Sequence, residues 1–138
     1  MTKLTQYFKG FYEYEQDDGI ISIPFVLNLL FDGTKFSGSS IDEETKDLFS
    51  NVKVEGFLEG DLISFIKTYP FEYFWDEQDQ KMVANKNFPE HRVTYQGHYN
   101  KSTKKYEGEW EIMIDETLLG GGVFKEQYIS GYWEIERD

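Results

Sequence analysis

The sequence predicts an all-β chain, an antiparallel up-and-down barrel of about eight strands, with a two-sheet sandwich as the competing arrangement. Three observations predict it. Apolar and polar residues alternate with period two along most of the chain. Glycine-bearing turn dipeptides separate these runs at short intervals. And one phrase, a glycine with a large apolar residue two positions to either side, recurs as FKGFY (8–12), YQGHY (95–99), YEGEW (106–110) and ISGYW (129–133).

In chain order, FKGFYEYE opens the pattern and Asp18-Gly19 ends it with a turn. Pro24 marks a strand start or a bend, because proline cannot donate to a ladder. FVLNLLF (25–31) follows as a strongly apolar strand, closed by Asp32-Gly33. Ser40 stands three residues before Glu43, a capping-box spacing. Ile41, Thr45, Leu48 and Phe49 then fall near helical spacing, so at most one short helix or helical turn is expected near 41–49. VKVEGFL (52–58) and LISFIKTY (62–69) form a hairpin about Gly60-Asp61. Residues 70–91, between Pro70 and Pro89, read as a short strand at 71–75 and then a long loop. RVTYQGHY (92–99), KYEGEWEIMI (105–114) and ISGYWEIE (129–136) complete the set. NKST (100–103) and Gly120-Gly121-Gly122 connect them.

Alternation sets the faces. The inner rows are Phe25, Leu27, Leu29, Phe31 and Phe36; Val52, Val54, Gly56 and Leu58; and Ile63, Phe65, Lys67 and Tyr69. In the repeated phrase, glycine shares the inner face with its large neighbours, as in Tyr106, Gly108 and Trp110. An inward glycine lets a strand coil sharply, and it leaves room for a ring from the next strand to cross the backbone. A closed barrel needs both more than a flat sandwich does.

The glycine-aromatic strands in a chain of this size resemble the calycin group of lipocalins, fatty-acid-binding proteins and avidins. KGFYEYE sits where lipocalins and avidins carry a Gly-x-Trp strand, here with Tyr12 in the tryptophan position. The resemblance implies a small-molecule-binding barrel, with an eight-stranded avidin-like form nearest. It carries over no ligand, because no binding pattern matches residue by residue.

Composition narrows the function. The 138 residues suit a single domain, 1–138. A net charge of −12 argues against nucleic acid and against an anionic membrane surface. No run is apolar enough to span a bilayer or serve as a signal peptide, so the cytoplasm is the expected compartment. With no cysteine, disulfides and thiolate chemistry are excluded.

Lys67 is the sharpest candidate. Inward and beside Phe65 and Tyr69, it is placed to anchor an anionic group. The competing readings are that it snorkels to solvent at a barrel end or pairs with an acid. Tyr12, Tyr14, Tyr69, Tyr95, Tyr99 and Tyr106, with Trp110 and Trp133, suit a pocket for an apolar, aromatic or amphipathic ligand. An eight-stranded barrel can equally be filled by such rings. Glu107, Glu109 and Glu111 point to water. DEQDQ (76–80) lacks the spacing of a calcium loop. His91 and His98 are seven apart and fall on opposite faces, so no metal or cofactor is expected. The leading expectation is a non-catalytic barrel that binds a small hydrophobic or aromatic ligand through Lys67, Tyr12, Tyr69, Tyr95, Tyr99, Trp110 and Trp133. The alternatives are an interaction or structural module with a filled core, and a small barrel enzyme using Lys67 and a tyrosine.

Overall fold

Eight strands run β1 (Leu4–Gln16), β2 (Gly19–Asp32), β3 (Lys35–Asp42), β4 (Val52–Glu59), β5 (Leu62–Asp76), β6 (Lys81–Asn100), β7 (Lys105–Asp115) and β8 (Glu126–Arg137). They pair in sequence order, all antiparallel, and β8 returns to β1 to close the barrel. Closure removes the free borders that a sandwich would leave. The structure is a computed structural model that describes residues 3–16, 19–49, 52–115 and 126–138. The expected turns at Asp18-Gly19 and Gly120-Gly121-Gly122 lie wholly or partly outside those residues. No helix among the described residues is long and apolar enough to cross a membrane.

The inner rows are those the alternation predicts. Phe25, Leu27, Leu29 and Phe36 are buried, as are Val52, Val54, Ile63, Phe65, Lys67 and Tyr69. The β4–β5 turn pairs Glu59 with Leu62 as expected. At β2–β3 the turn is Gly33-Thr34 rather than Asp32-Gly33, so Phe31 faces Phe36. The register moves by two residues, which keeps every side chain on its face.

Three segments refine the expectation. No helix forms near 41–49 among the described residues. Ser40, Ile41 and Asp42 finish β3, and the run of turns that follows holds no more than the helical turn allowed for, with Leu48 and Phe49 N–H both donating to the Thr45 carbonyl at 2.9 Å. The capping box fails because Ser40 is buried and donates to Asp42, while Glu43 pairs with Lys46 instead. Second, the strand expected at 71–75 is present as the end of β5, but the long loop expected after it is not. Residues 70–91 extend β5 and β6 into a long hairpin that turns at Glu77–Gln80. Phe71 is in register with Pro89 and Glu72 with Asn85, so residues 86–88 form a bulge. Third, Pro24 lies inside β2, opposite Phe11. Its carbonyl accepts from Glu43 N–H just past the last β2–β3 pair, Phe25 with Asp42. The missing N–H therefore falls where the β3 ladder has already ended.

The middle of the barrel is packed. Phe65 and Tyr95 stack at 4.6 Å between ring centres, and Trp133 stands edge-on to both, at 5.3 and 5.6 Å. Leu27, Leu29, Val54, Ile63 and Ile135 are buried in the same core.

Candidate functional site

Space remains at the end of the barrel where β1 turns into β2, β3 into β4, and β5 into β6. A cavity of about 660 Å3 lies there, walled chiefly by Tyr12, Tyr14, Tyr69, Tyr73, Tyr95, Trp110, Val93 and Ile112, with Glu44 among them. The aromatic wall follows from the inward rows of β1, β5 and β6 reaching this end. Its size is that of a small-molecule site.

Glu44 is carried by the β3–β4 turn. Both its oxygens accept from tyrosines. Tyr12 Oη donates to Oε1 at 2.8 Å and Tyr14 Oη to Oε2 at 2.5 Å, with Tyr73 Oη farther from Oε1 at 3.4 Å. Burial raises the pKa of all three phenols above the ordinary value. For Tyr12 the neighbouring phenols and acids add to that, for Tyr73 Glu44 and Asp42 add while a bond with Tyr12 partly offsets them, and for Tyr14 its bond to Glu44 adds. The phenols thus remain protonated donors. Among the described residues no lysine or arginine pairs with Glu44. His91 packs beside this group, its ring tilted against Tyr69 at 5.7 Å and edge-on to Tyr73 at 5.8 Å, and burial lowers its pKa.

Beneath the cavity a second acid is handled differently. Asp42 is the last residue of β3, with its side chain inward and fully buried. Its Oδ1 accepts from Lys67 Nζ at 2.9 Å and from Ser40 Oγ at 2.5 Å, and its Oδ2 accepts from Tyr69 Oη. Lys67 Nζ also lies 3.5 Å from the Phe25 ring centre, with the Tyr95 and Tyr12 rings at 5.0 and 5.3 Å. Burial lowers the lysine's pKa and Asp42 pulls it back up. Every charge in this cluster has a partner, as burial requires. Of the readings open for Lys67, pairing with an acid is the one the structure holds. It neither reaches solvent nor lines the cavity.

Trp110 and Trp133 cross strands over glycine. The β1–β8 ladder stops at Tyr12 and Trp133, and the next β1 carbonyl, that of Glu13, accepts from Trp110 Nε1 at 2.9 Å. To reach it the Trp110 ring passes over Gly131, where an added Cβ would lie 2.6 Å from Nε1. Trp133 Nε1 donates to the Glu109 and Gln96 carbonyls at 3.0 and 3.2 Å, with its ring over Gly97. Room for a neighbouring ring was one of the two reasons the sequence offered for inward glycines.

Four of the expected site residues, Tyr12, Tyr69, Tyr95 and Trp110, line the cavity together. Lys67 and Trp133 lie deeper, in packed interior. Tyr99 is at the opposite end, against Tyr106 at 4.9 Å, by a wider hollow that also touches Arg137 and Lys104. His98 is exposed while His91 turns inward, the opposite faces their spacing requires. Asp76, in DEQDQ, accepts from the Gln78 and Asp79 N–H groups and so caps its own hairpin turn.

Sequence reasoning missed Glu44 and Tyr73. Counting on by twos from Tyr69 would have found Tyr73, had the strand not been ended at Pro70. Glu44 carried no signal, because its segment read as helical. Compared with known protein families, curated proteins and solved structures, the chain finds no match in any of the three.

Proposed function

We propose that this protein is a non-catalytic, calycin-like barrel that binds a small molecule at the end carrying the β3–β4 turn. One observation carries the reading. The packed layer around Trp133 fills the middle of the barrel, but the same interior opens above it into a cavity of about 660 Å3 with an aromatic wall. A chain needing only a filled core would gain by closing that space. The buried lysine, aspartate and tyrosine that a catalytic reading would use lie below the cavity and are bonded to one another. The packed middle favours one alternative, an interaction module that binds no small molecule.

Native mass spectrometry of freshly purified protein, together with titration of the neutral dye N-phenyl-1-naphthylamine, separates the two. Binding predicts an extra mass lost on denaturation, or dye fluorescence that rises with protein and is abolished by Ile112→Trp, which fills the cavity. Protein of bare mass that leaves the dye unchanged supports the module.

A further inference from the structure

We infer that the cavity selects an organic cation, a protonated or quaternary amine attached to an apolar or aromatic body, with its charge against Glu44. This rests on the binding reading above and names the ligand class. The two acids are held in different ways. Asp42 has a lysine at 2.9 Å. Glu44, at the cavity wall, has only neutral phenol donors among the described residues. Phenols satisfy lone pairs but bring no positive charge, so the carboxylate keeps its field toward the cavity.

The remaining wall points the same way. Among the described residues lining the cavity there is no lysine, arginine or histidine. Glu13 and Glu15 border the rim, where strand alternation turns their side chains outward. The faces of Tyr12, Tyr73, Tyr95 and Trp110 are electron-rich and attract cations, quaternary ammonium groups above all. The molecule already shows this pairing, for Lys67 Nζ sits 3.5 Å from the Phe25 ring centre. A net charge of −12 draws cations toward the protein and repels anions. The anionic ligand that an inward lysine suggested is disfavoured, since Lys67 is already paired. A bare divalent ion is disfavoured too. It would want several carboxylate or carbonyl oxygens, and no group of acids and histidines able to hold a metal occurs among the described residues.

Three probes sharing one ring system test the class: (1-naphthylmethyl)trimethylammonium, 1-naphthalenemethanol and 1-naphthylacetate, titrated calorimetrically into wild type and Glu44→Gln. The expected result is that the ammonium probe binds wild type about tenfold more tightly than the alcohol, and the acetate most weakly. Glu44→Gln should weaken the ammonium probe about tenfold and leave the alcohol within about twofold. If the acetate or the alcohol binds wild type as well as the ammonium does, the cation class is wrong and the binding reading stands. Equal weakening of all probes in Glu44→Gln likewise overturns the class, since it would mean the residue only holds the fold. If the variant does not fold, the wild-type ranking decides alone. Should no probe bind at millimolar concentration, both readings fall.

Discussion

Lys67 and Asp42 meet 2.9 Å apart, Nζ to Oδ1, with both side chains wholly removed from water. Removing one partner strands the other charge among rings, at a cost of about 3–5 kcal/mol. Against a typical domain stability of about 5–15 kcal/mol, that is a large share. Lys67→Met and Asp42→Asn should each be strongly destabilised. The double variant restores neutrality and keeps groups that Ser40 and Tyr69 can bond. It should be more stable than the sum of the single losses implies, by about 2 kcal/mol or more. Urea unfolding of the four proteins measures this coupling, and simple additivity would mean that the two charges do not depend on each other.

The tyrosines around Glu44 are not equivalent. Tyr12 donates at 2.8 Å and Tyr73 at 3.4 Å. A hydrogen bond to a charged group is worth about 1.5–3 kcal/mol at good geometry and little at the longer distance. Tyr12→Phe should therefore lower stability by about 1–3 kcal/mol, and Tyr73→Phe by much less. Chemical denaturation of the two variants would refute the assignment if Tyr73→Phe proved the costlier.

Much of this barrel was legible because a strand with one buried face declares itself every second residue. The rows through Phe65, Lys67 and Tyr69 and through Tyr106, Gly108 and Trp110 could be read from alternation alone. A two-residue slip at Gly33-Thr34 left those rows intact. What alternation does not report is where a row ends. Pro70 and Pro89 looked like stops, yet β5 and β6 run past them, with the register shifting just beyond the Phe71–Pro89 pair. Nor does alternation report what meets across the barrel. Lys67 and Asp42 are 25 residues apart, and their pairing depends on β3 lying two strands away from β5. The cavity was foreseen as a class of site but not located, since aromatic rows fill or line an interior with the same sequence pattern.

The buried phenols predict a cooperative alkaline transition. Tyr12, Tyr69, Tyr73 and Tyr95 all have pKa values raised above the ordinary 10.0, chiefly by burial. Above pH 10 the unfolded chain loses these protons and the folded barrel keeps them. The folded state then binds more protons, and stability falls as pH rises. Each such tyrosine contributes about 1.4 kcal/mol per pH unit. Lys67 acts oppositely. Its pKa is lowered from 10.5, so between its folded value and 10.5 the unfolded chain holds the extra proton and stability climbs with pH. One lysine against several tyrosines leaves a net loss above pH 10. Tyrosinate absorbance at 295 nm and the loss of far-ultraviolet circular dichroism should therefore rise together. Full tyrosine titration near pH 10 in a barrel that stays folded would contradict the burial of these side chains.

The Trp110 crossing supplies the most local test of the closed barrel. Trp110 reaches the Glu13 carbonyl only because Gly131 has no side chain. A Cβ there would sit 2.1 Å from that carbonyl oxygen and 2.6 Å from the indole nitrogen. Neither neighbour is free to retreat. The carbonyl belongs to β1, and the ring is buried against Tyr12 at 6.3 Å between centres. Gly131→Ala should therefore force the indole out of its seat, at a cost of about 1–3 kcal/mol. The melting temperature would fall by roughly 4–12 °C, and tryptophan emission would shift to the red as Trp110 gains contact with water. Ser130→Ala, at the exposed neighbouring position, should leave both readouts unchanged. Equal melting temperatures for Gly131→Ala and wild type would mean that β1, β7 and β8 do not approach as closely as this seam requires, and the closure of the barrel at this end would have to be abandoned.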